Sequence, residues 1–424
     1  MKFIYKLLSL SLAIACLSGC SAANTEIASS SAATATVTPT TDSKEVPASN
    51  NVFTSAGDGL YVTTDSGIYE LQTVFPDSAN IFYTDANTKE RIFLCANPNC
   101  THADESCPSY IATPSAMFPP MLLRVGDQLL VVFTEATDSS NPHGMLMNMD
   151  GSNRRTVFEL ASNQYMQGGF CTSGNDLYFD LYEIDDSGNV TYQLWYVSFE
   201  NGTSEKVMDL GSDSDHYSLC DGANNELCFN HVSSDGISYC MYNPQSKTIS
   251  DPFFVDSSVS GNSMIQDGYL FVLDEQASSV QRIRLSDKEQ ASASFTVKEG
   301  FGAPSMRYLF DGNLMITEAQ TTASDIPTDG SYGVCSYILD FGTRNCTEFT
   351  LQTPYNNRPV YVLTTIGDAC YVATDYKTYT PTSVSEDGTV SNFDYVANIY
   401  AFITKQDYIN SNQNGYSMVK DAFE

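Results

Sequence analysis

A turn of Gly, Asn and Asp feeding an apolar, β-prone run recurs seven times along the chain, and nothing else in the sequence restricts the fold as tightly. The copies span Gly57 to Val62, Gly126 to Val131, Gly174 to Phe179, Asn224 to Phe229, Gln266 to Phe271, Asp311 to Ile316 and Gly367 to Val372. Each is read as the entry strand of a repeated unit. The anchor positions are Leu60, Leu129, Leu177, Leu227, Leu270, Leu314 and Cys370, spaced 43 to 69 residues apart. Gly/Asn/Asp/Ser clusters interrupt every apolar run, and helical periodicity is missing beyond the N-terminal segment.

Within a unit the pattern supplies four strands. Leu60 to Thr64 and Ile68 to Leu71 flank the turn Asp65-Ser66-Gly67, and Ile81 to Thr84 and Arg91 to Leu94 flank Asp85 to Thr88. Farther on, Leu177 to Asp180 is expected to pair with Tyr192 to Val197 through Asp185 to Asn189. Four strands at a period in the forties to fifties predict a β-propeller. One such sheet leaves a face bare, and radial packing of sheets around a channel covers it. Seven anchors predict an all-β propeller of seven four-stranded blades over 51–424; six or eight stay open, because the first and last units can share a blade. A stack of β-sandwiches would repeat at about 100 residues instead.

The N-terminus reads as a targeting segment. A leader with Lys2 and Lys6 precedes an apolar run, Leu7 to Leu17, too short to span a bilayer. The run ends in Leu17-Ser18-Gly19-Cys20, which resembles the lipobox of bacterial lipoproteins. That resemblance implies a signal peptide over 1–19 and acylation of Cys20, hence an extracytoplasmic protein held at the bacterial cell membrane by its N-terminal lipid. From 20 to 50 the composition turns to Ser, Ala, Thr, Pro and Asn, too poor in large apolar residues to offset ordering entropy, so a flexible tether is expected.

Lys+Arg 20 against Asp+Glu 51 gives a net charge of −31. That balance excludes nucleic acid as a partner and opposes adhesion to anionic lipid through a basic patch. No block of like charge stands out, so the excess reads first as a solubilising coat.

The first anchor spacing exceeds one blade and carries an insert over 94–120. Its core is Leu94-Cys95-Ala96-Asn97-Pro98-Asn99-Cys100-Thr101-His102, then Cys107-Pro108-Ser109-Tyr110. Cys95, Cys100, His102 and Cys107 supply three thiols and an imidazole on a tight loop, a donor set for a structural, closed Zn²⁺ site. The alternative is oxidation, because an extracytoplasmic domain permits disulfides; three cysteines cannot all pair among themselves. Cys335 and Cys346 flank a hairpin at Phe341 to Arg344 and could be cross-strand neighbours.

This insert resembles one in surface lipoproteins of anaerobic Firmicutes, which are similar to the propeller domains of low-density-lipoprotein receptors. Phe82-Tyr83-Thr84-Asp85 resembles the Tyr-Trp-Thr-Asp blade strand of that class. The resemblance implies a propeller and carries no binding residue across.

Catalytic signatures are missing. His143, His216 and His231 are assigned to different units and lack a nucleophile or metal-spaced partner nearby, and no Gly-x-Ser-x-Gly, His-Glu-x-x-His, P-loop or EF-hand loop occurs. Asp209 to Asp215 lacks the central Gly and terminal Glu of a Ca²⁺ loop. No catalytic residue and no cofactor besides Zn are assigned. The expectation is a lipid-anchored β-propeller that binds an extracellular ligand, glycan or protein. The alternative is a propeller hydrolase or lyase acting on polysaccharide or cell-wall fragments, with catalysis left undecided and disfavoured.

Overall fold

The computed structural model of the chain describes residues 54–55, 59–75, 78–113, 119–137, 139–256, 262–320, 333–379, 382–384, 390–392 and 395–421. The expected signal peptide, Cys20 and the tether lie outside these residues. Among those described, seven four-stranded antiparallel meanders follow one another, at 61–93, 121–159, 164–212, 215–249, 263–294, 301–349 and 362–418. The third and fourth run on as one sheet, joined at Gly211↔His216 and Ser212↔Asp215. One five-residue helix, Lys405–Ile409, interrupts the pattern. A single turn held by a cap, Thr404 Oγ1 accepting from Asp407 N at 3.0 Å, is too short to show a 3.6-residue period in the sequence.

The repeated turns behave as their chemistry requires. Gly126, Gly174, Asn224, Asp267, Asp311 and Gly367 all take positive φ, which Gly, Asn and Asp tolerate. Their place in the unit differs from the expectation, however. In six of the seven copies the turn joins the first strand to the second, as where Ser173 faces Asp176 between Gln164–Ser173 and Asp176–Ile184. Only the copy at Gly57 leads into a first strand, Tyr61–Thr63. The true first strands give a weak sequence signal because several carry register shifts, between Met166 and Phe170, Leu219 and Asp221, Gly302 and Ser305, and Val362 and Thr364. A bulge breaks the apolar alternation by which a strand is recognised.

Second strands are buried on both faces. Leu227, Cys228 and Phe229 have no exposed surface, nor have Leu314, Met315 and Ile316, nor Cys370, Tyr371 and Val372. Neighbouring side chains point to opposite faces, so each meander is covered on two sides. Leu177 packs with Leu123 of the meander before it, and Tyr178 with Leu227 of the meander after it. Cys228 then meets Leu270, Phe271 meets Leu314, and Met315 meets Cys370. Tyr371 of the last meander packs with Ile68 of the first, and Ile81 of the first with Leu122 of the second. Each buried Leu or Phe contributes about 1.5–3 kcal/mol.

Where last meets first, polar groups add to the packing. Arg91 is 1% exposed and donates Nε and Nη2 to Glu70 Oε2 at 3.0 and 2.8 Å, and Nη1 to Asp421 Oδ1 at 3.1 Å. Glu70 Oε1 accepts from Tyr400 of the last meander at 2.5 Å. Lys420–Asp421 lies parallel to Glu90–Phe93, with Lys420 opposite Glu90. Burial opposes the guanidinium charge, but Glu70, Tyr400, Tyr371 and Asp421 together outweigh it and hold the Arg91 pKa above its usual value.

Asp180 is a buried carboxylate without an ion pair among the described residues. Its oxygens accept from Gly169 N at 3.2 Å, beside a bulge, and from Leu219 N of the next meander at 3.0 Å. Burial outweighs these bonds and pushes it up to about 7.

Two stability outcomes follow from these groups. Arg91→Met leaves Glu70 buried and unpaired and should cost about 3–5 kcal/mol in urea unfolding, with partial recovery in Arg91→Met/Glu70→Gln; no loss would show the clasp to be dispensable. Because the folded state holds the Asp180 proton to a higher pH than the unfolded chain, stability is fully present below about pH 4 and falls as pH rises through about 7. The melting temperature of Asp180→Asn should therefore change less across that window than that of the parent protein.

Candidate metal centre

The insert leaves the first meander after Phe93 and returns to it at Tyr110–Ala112, which pairs with Ser78 to Asn80. Its turns are locally encoded. Asn97 accepts from Asn99 N on its side-chain oxygen and from Cys100 N on its carbonyl, and Asp104 does the same with Ser106 N and Cys107 N, so in each loop an Asx side chain and a backbone turn reverse the chain together. His102 has φ 56° between them. Asn80, on the adjacent strand, donates to His102 O and to Ser109 Oγ, each at 3.0 Å, and so ties both arms of the loop to the sheet. The His102 ring stacks on Phe93 with centroids 4.0 Å apart.

These constraints bring Cys95, Cys100, His102 and Cys107 together with all four donor atoms within 4.8 Å of one another. His102 Nδ1 lies 3.3 Å from Cys107 Sγ, and Ser109 Oγ lies 3.1 Å from the same sulfur. Around a tetrahedral Zn²⁺ with bonds of about 2.3 Å, ligand atoms stand about 3.8 Å apart, so the cluster fits such an ion with small adjustment. Burial pushes the Cys95 thiol up to about 11. At Cys107 burial also pushes upward, but hydrogen bonds from Ser109 and His102 outweigh it and bring the thiol down to about 6. Four protein donors close the coordination sphere, so such a centre would staple the loop and would not activate water.

The four residues chosen from spacing thus converge. The groups that orient them, Asn80, Ser109 and Phe93, were not foreseen; Asn80 precedes the first cysteine by a whole hairpin and carries no motif. All ten cysteines among the described residues are free thiols. Cys335 and Cys346 are not cross-strand partners, since Cys346 faces Leu339 and Cys335 faces Glu318. The histidines also differ from their assignment: His216 and His231 sit on paired strands of one meander, where Tyr217 faces His231. His231 Nε2 lies 2.6 Å from Asp215 Oδ1, and Lys206 Nζ 2.8 Å from Asp209 Oδ1, so neighbouring side chains already engage the acidic loop.

A concave feature lies apart from the insert. A cavity of about 530 Å³ opens where first strands of the first, fifth, sixth and seventh meanders approach one another, with Tyr61, Asp267, Arg307, Tyr308, Asp311 and Thr364 in its wall. Tyr308 OH donates to Asp267, and Lys405 Nζ lies 2.9 Å from both Asp311 oxygens. Arg307 stacks over Tyr361 at 4.2 Å and has no carboxylate within ion-pair distance among the described residues.

No family model matches the chain, and no curated protein matches it. Solved structures similar to it include TolB from Acinetobacter baumannii, at 8% identity and TM-score 0.34 over 84% of this chain and 77% of that one. The β-propeller domain of the trilobed protease from Pyrococcus furiosus gives 12%, 0.36, 72% and 99%. The tricorn protease gives 11% and 0.31 over 81% of this chain, which spans only 35% of the protease. The neighbours are thus β-propeller proteins.

Elemental analysis of the purified protein should find about one zinc per chain, lost in Cys100→Ser. Substoichiometric zinc together with thiols that resist alkylation would favour disulfides.

Proposed function

We propose that the seven meanders are the blades of a closed propeller, and that it serves as a ligand- or partner-binding module on the outer side of the cell membrane, tethered through an acylated Cys20. The single observation that carries the binding role is the 530 Å³ cavity walled by first strands of four separate meanders. Ligand sites favour such convergence, because several rigid elements position few polar groups among apolar ones. The packing of Tyr371 on Ile68 and the Arg91–Glu70–Tyr400 contact support closure of the ring. In the wall Arg307 offers an unneutralised cation beside Tyr61 and Tyr308, suited to a ligand with a carboxylate and a flat ring or sugar face.

A propeller hydrolase or lyase is the second reading; in the same wall Asp267 and Asp311 are both exposed, one accepting from Tyr308 and the other paired with Lys405. The zinc assignment for Cys95, Cys100, His102 and Cys107 belongs to this reading as a scaffold element, and so does the resemblance to Firmicutes surface lipoproteins.

One experiment tests the whole reading. The protein should partition with membranes, and Cys20→Ala should release it. The released protein should bind members of a panel of acidic glycans and peptides at least tenfold more tightly than Arg307→Ala does. Turnover of any panel member would sink the binder assignment in favour of the enzyme.

A further inference from the structure

Beside the Cys/His insert lies a second cavity, of about 510 Å³, to which neither the sequence motifs nor the binding role above assigns anything. Its two sides come from different parts of the chain. Tyr110, Ile111 and Ala112 form one side and belong to the strand that leaves the cysteine loop; Phe133, His143 and Met145 form the other and belong to the second meander. Arg154 joins the two sides. Its Nη1 donates to Tyr110 O at 2.6 Å, Nη2 to Pro108 O, and Nε to Gly151 O at 3.2 Å. Two guanidinium N–H groups remain after these three bonds.

The hydrogen-bond partners of Arg154 are carbonyls, which satisfy its N–H groups without forming an ion pair. No carboxylate reaches ion-pair distance of it among the described residues, and half-burial lowers its pKa, outweighing the opposing pull of the Cys107 sulfur and of Glu105. Glu105 stands at the rim, exposed to solvent. His143 supplies the second polar group. Its Nδ1 lies 2.7 Å from Asn141 O, and since a carbonyl only accepts, Nδ1 carries a proton and Nε2 is left for a ligand. The same ring stacks on Phe133 with centroids 4.4 Å apart and planes 15° from parallel. The floor is apolar: Ile111 is buried and Met145 partly so.

The side built by Tyr110 to Ala112 depends on the cysteine cluster. Tyr110 N donates to Cys107 O, and Ser109, next to the arginine's two carbonyl partners, touches the Cys107 sulfur. A Cβ at Gly151 would stand 2.4 Å from Pro108 O, so the insert already lies as close to the second meander as backbone allows.

We propose that this cavity binds a planar aromatic anion, its acid group at Arg154 and its ring along Phe133 and His143, and that metal in the Cys95/Cys100/His102/Cys107 centre holds the wall in place. The second half rests on the zinc reading given above.

The test uses the purified full chain with two fluorescent probes that share one ring system: 1-anilinonaphthalene-8-sulfonate and its uncharged parent, N-phenyl-1-naphthylamine. The sulfonate should bind zinc-loaded protein at least tenfold more tightly than the neutral probe. Chelation should weaken it about tenfold, reversed by added zinc. Ala112→Trp, which fills the cavity from an exposed position, should abolish binding at unchanged zinc content. Sulfonate binding that survives Ala112→Trp, or neutral probe binding as tightly as the sulfonate, would overturn the site. Binding unaltered by chelation would overturn the coupling. A chain that takes up no zinc fails the metal assignment instead, and the Ala112→Trp comparison then still decides the cavity.

Discussion

Burial of both faces of each second strand is the constraint from which the rest of this architecture follows. A strand such as Leu314-Met315-Ile316, with no exposed side chain, cannot sit in a sheet with one wet face. Each meander therefore needs a neighbour on either side, and the chain provides them in order, Leu314 and Ile316 facing back to Phe271 and Met315 forward to Cys370. The requirement has no natural end. The last meander, with Tyr371 turned outward, must meet the first, and Ile68 receives it.

That final contact is where the polar groups concentrate. Arg91, Glu70, Tyr400 and Asp421 come from both ends of the described chain and satisfy one another away from water. Buried ion pairs add little net stability over apolar packing, but an unpaired partner is costly, so such a cluster tolerates one arrangement and penalises misregistered ones. The few cations of this acidic chain stand out for the same reason. Arg91 is neutralised by carboxylates, while Arg154 and Arg307 bond to carbonyls or rings and line cavities.

Features that depend on neighbouring residues were readable from the sequence. Positive φ at Gly174, Asn224 or Asp267 needs only local chemistry, and the four metal-type donors lie within one short loop whose Asn97 and Asp104 turns close it. Features that depend on register were not. The first strands were hidden by bulges, Cys346 was set opposite Leu339, four residues along the strand from Cys335, and His216 and His231 were brought onto paired strands. Asn80 entered the candidate centre from the strand beside it, where an isolated asparagine gives no signal.

The sequence by itself determined an all-β chain of repeated four-strand units, interrupted by one cysteine- and histidine-bearing insert, because turn chemistry and apolar runs act over a few residues. Only the tertiary structure decided which strand of each unit the motif marks, that the last unit covers the first, and that Arg154 and Arg307 look into cavities. Those outcomes turn on contacts between residues far apart in the chain, such as Glu70 with Tyr400, where burial and charge are settled by what else arrives at the same place.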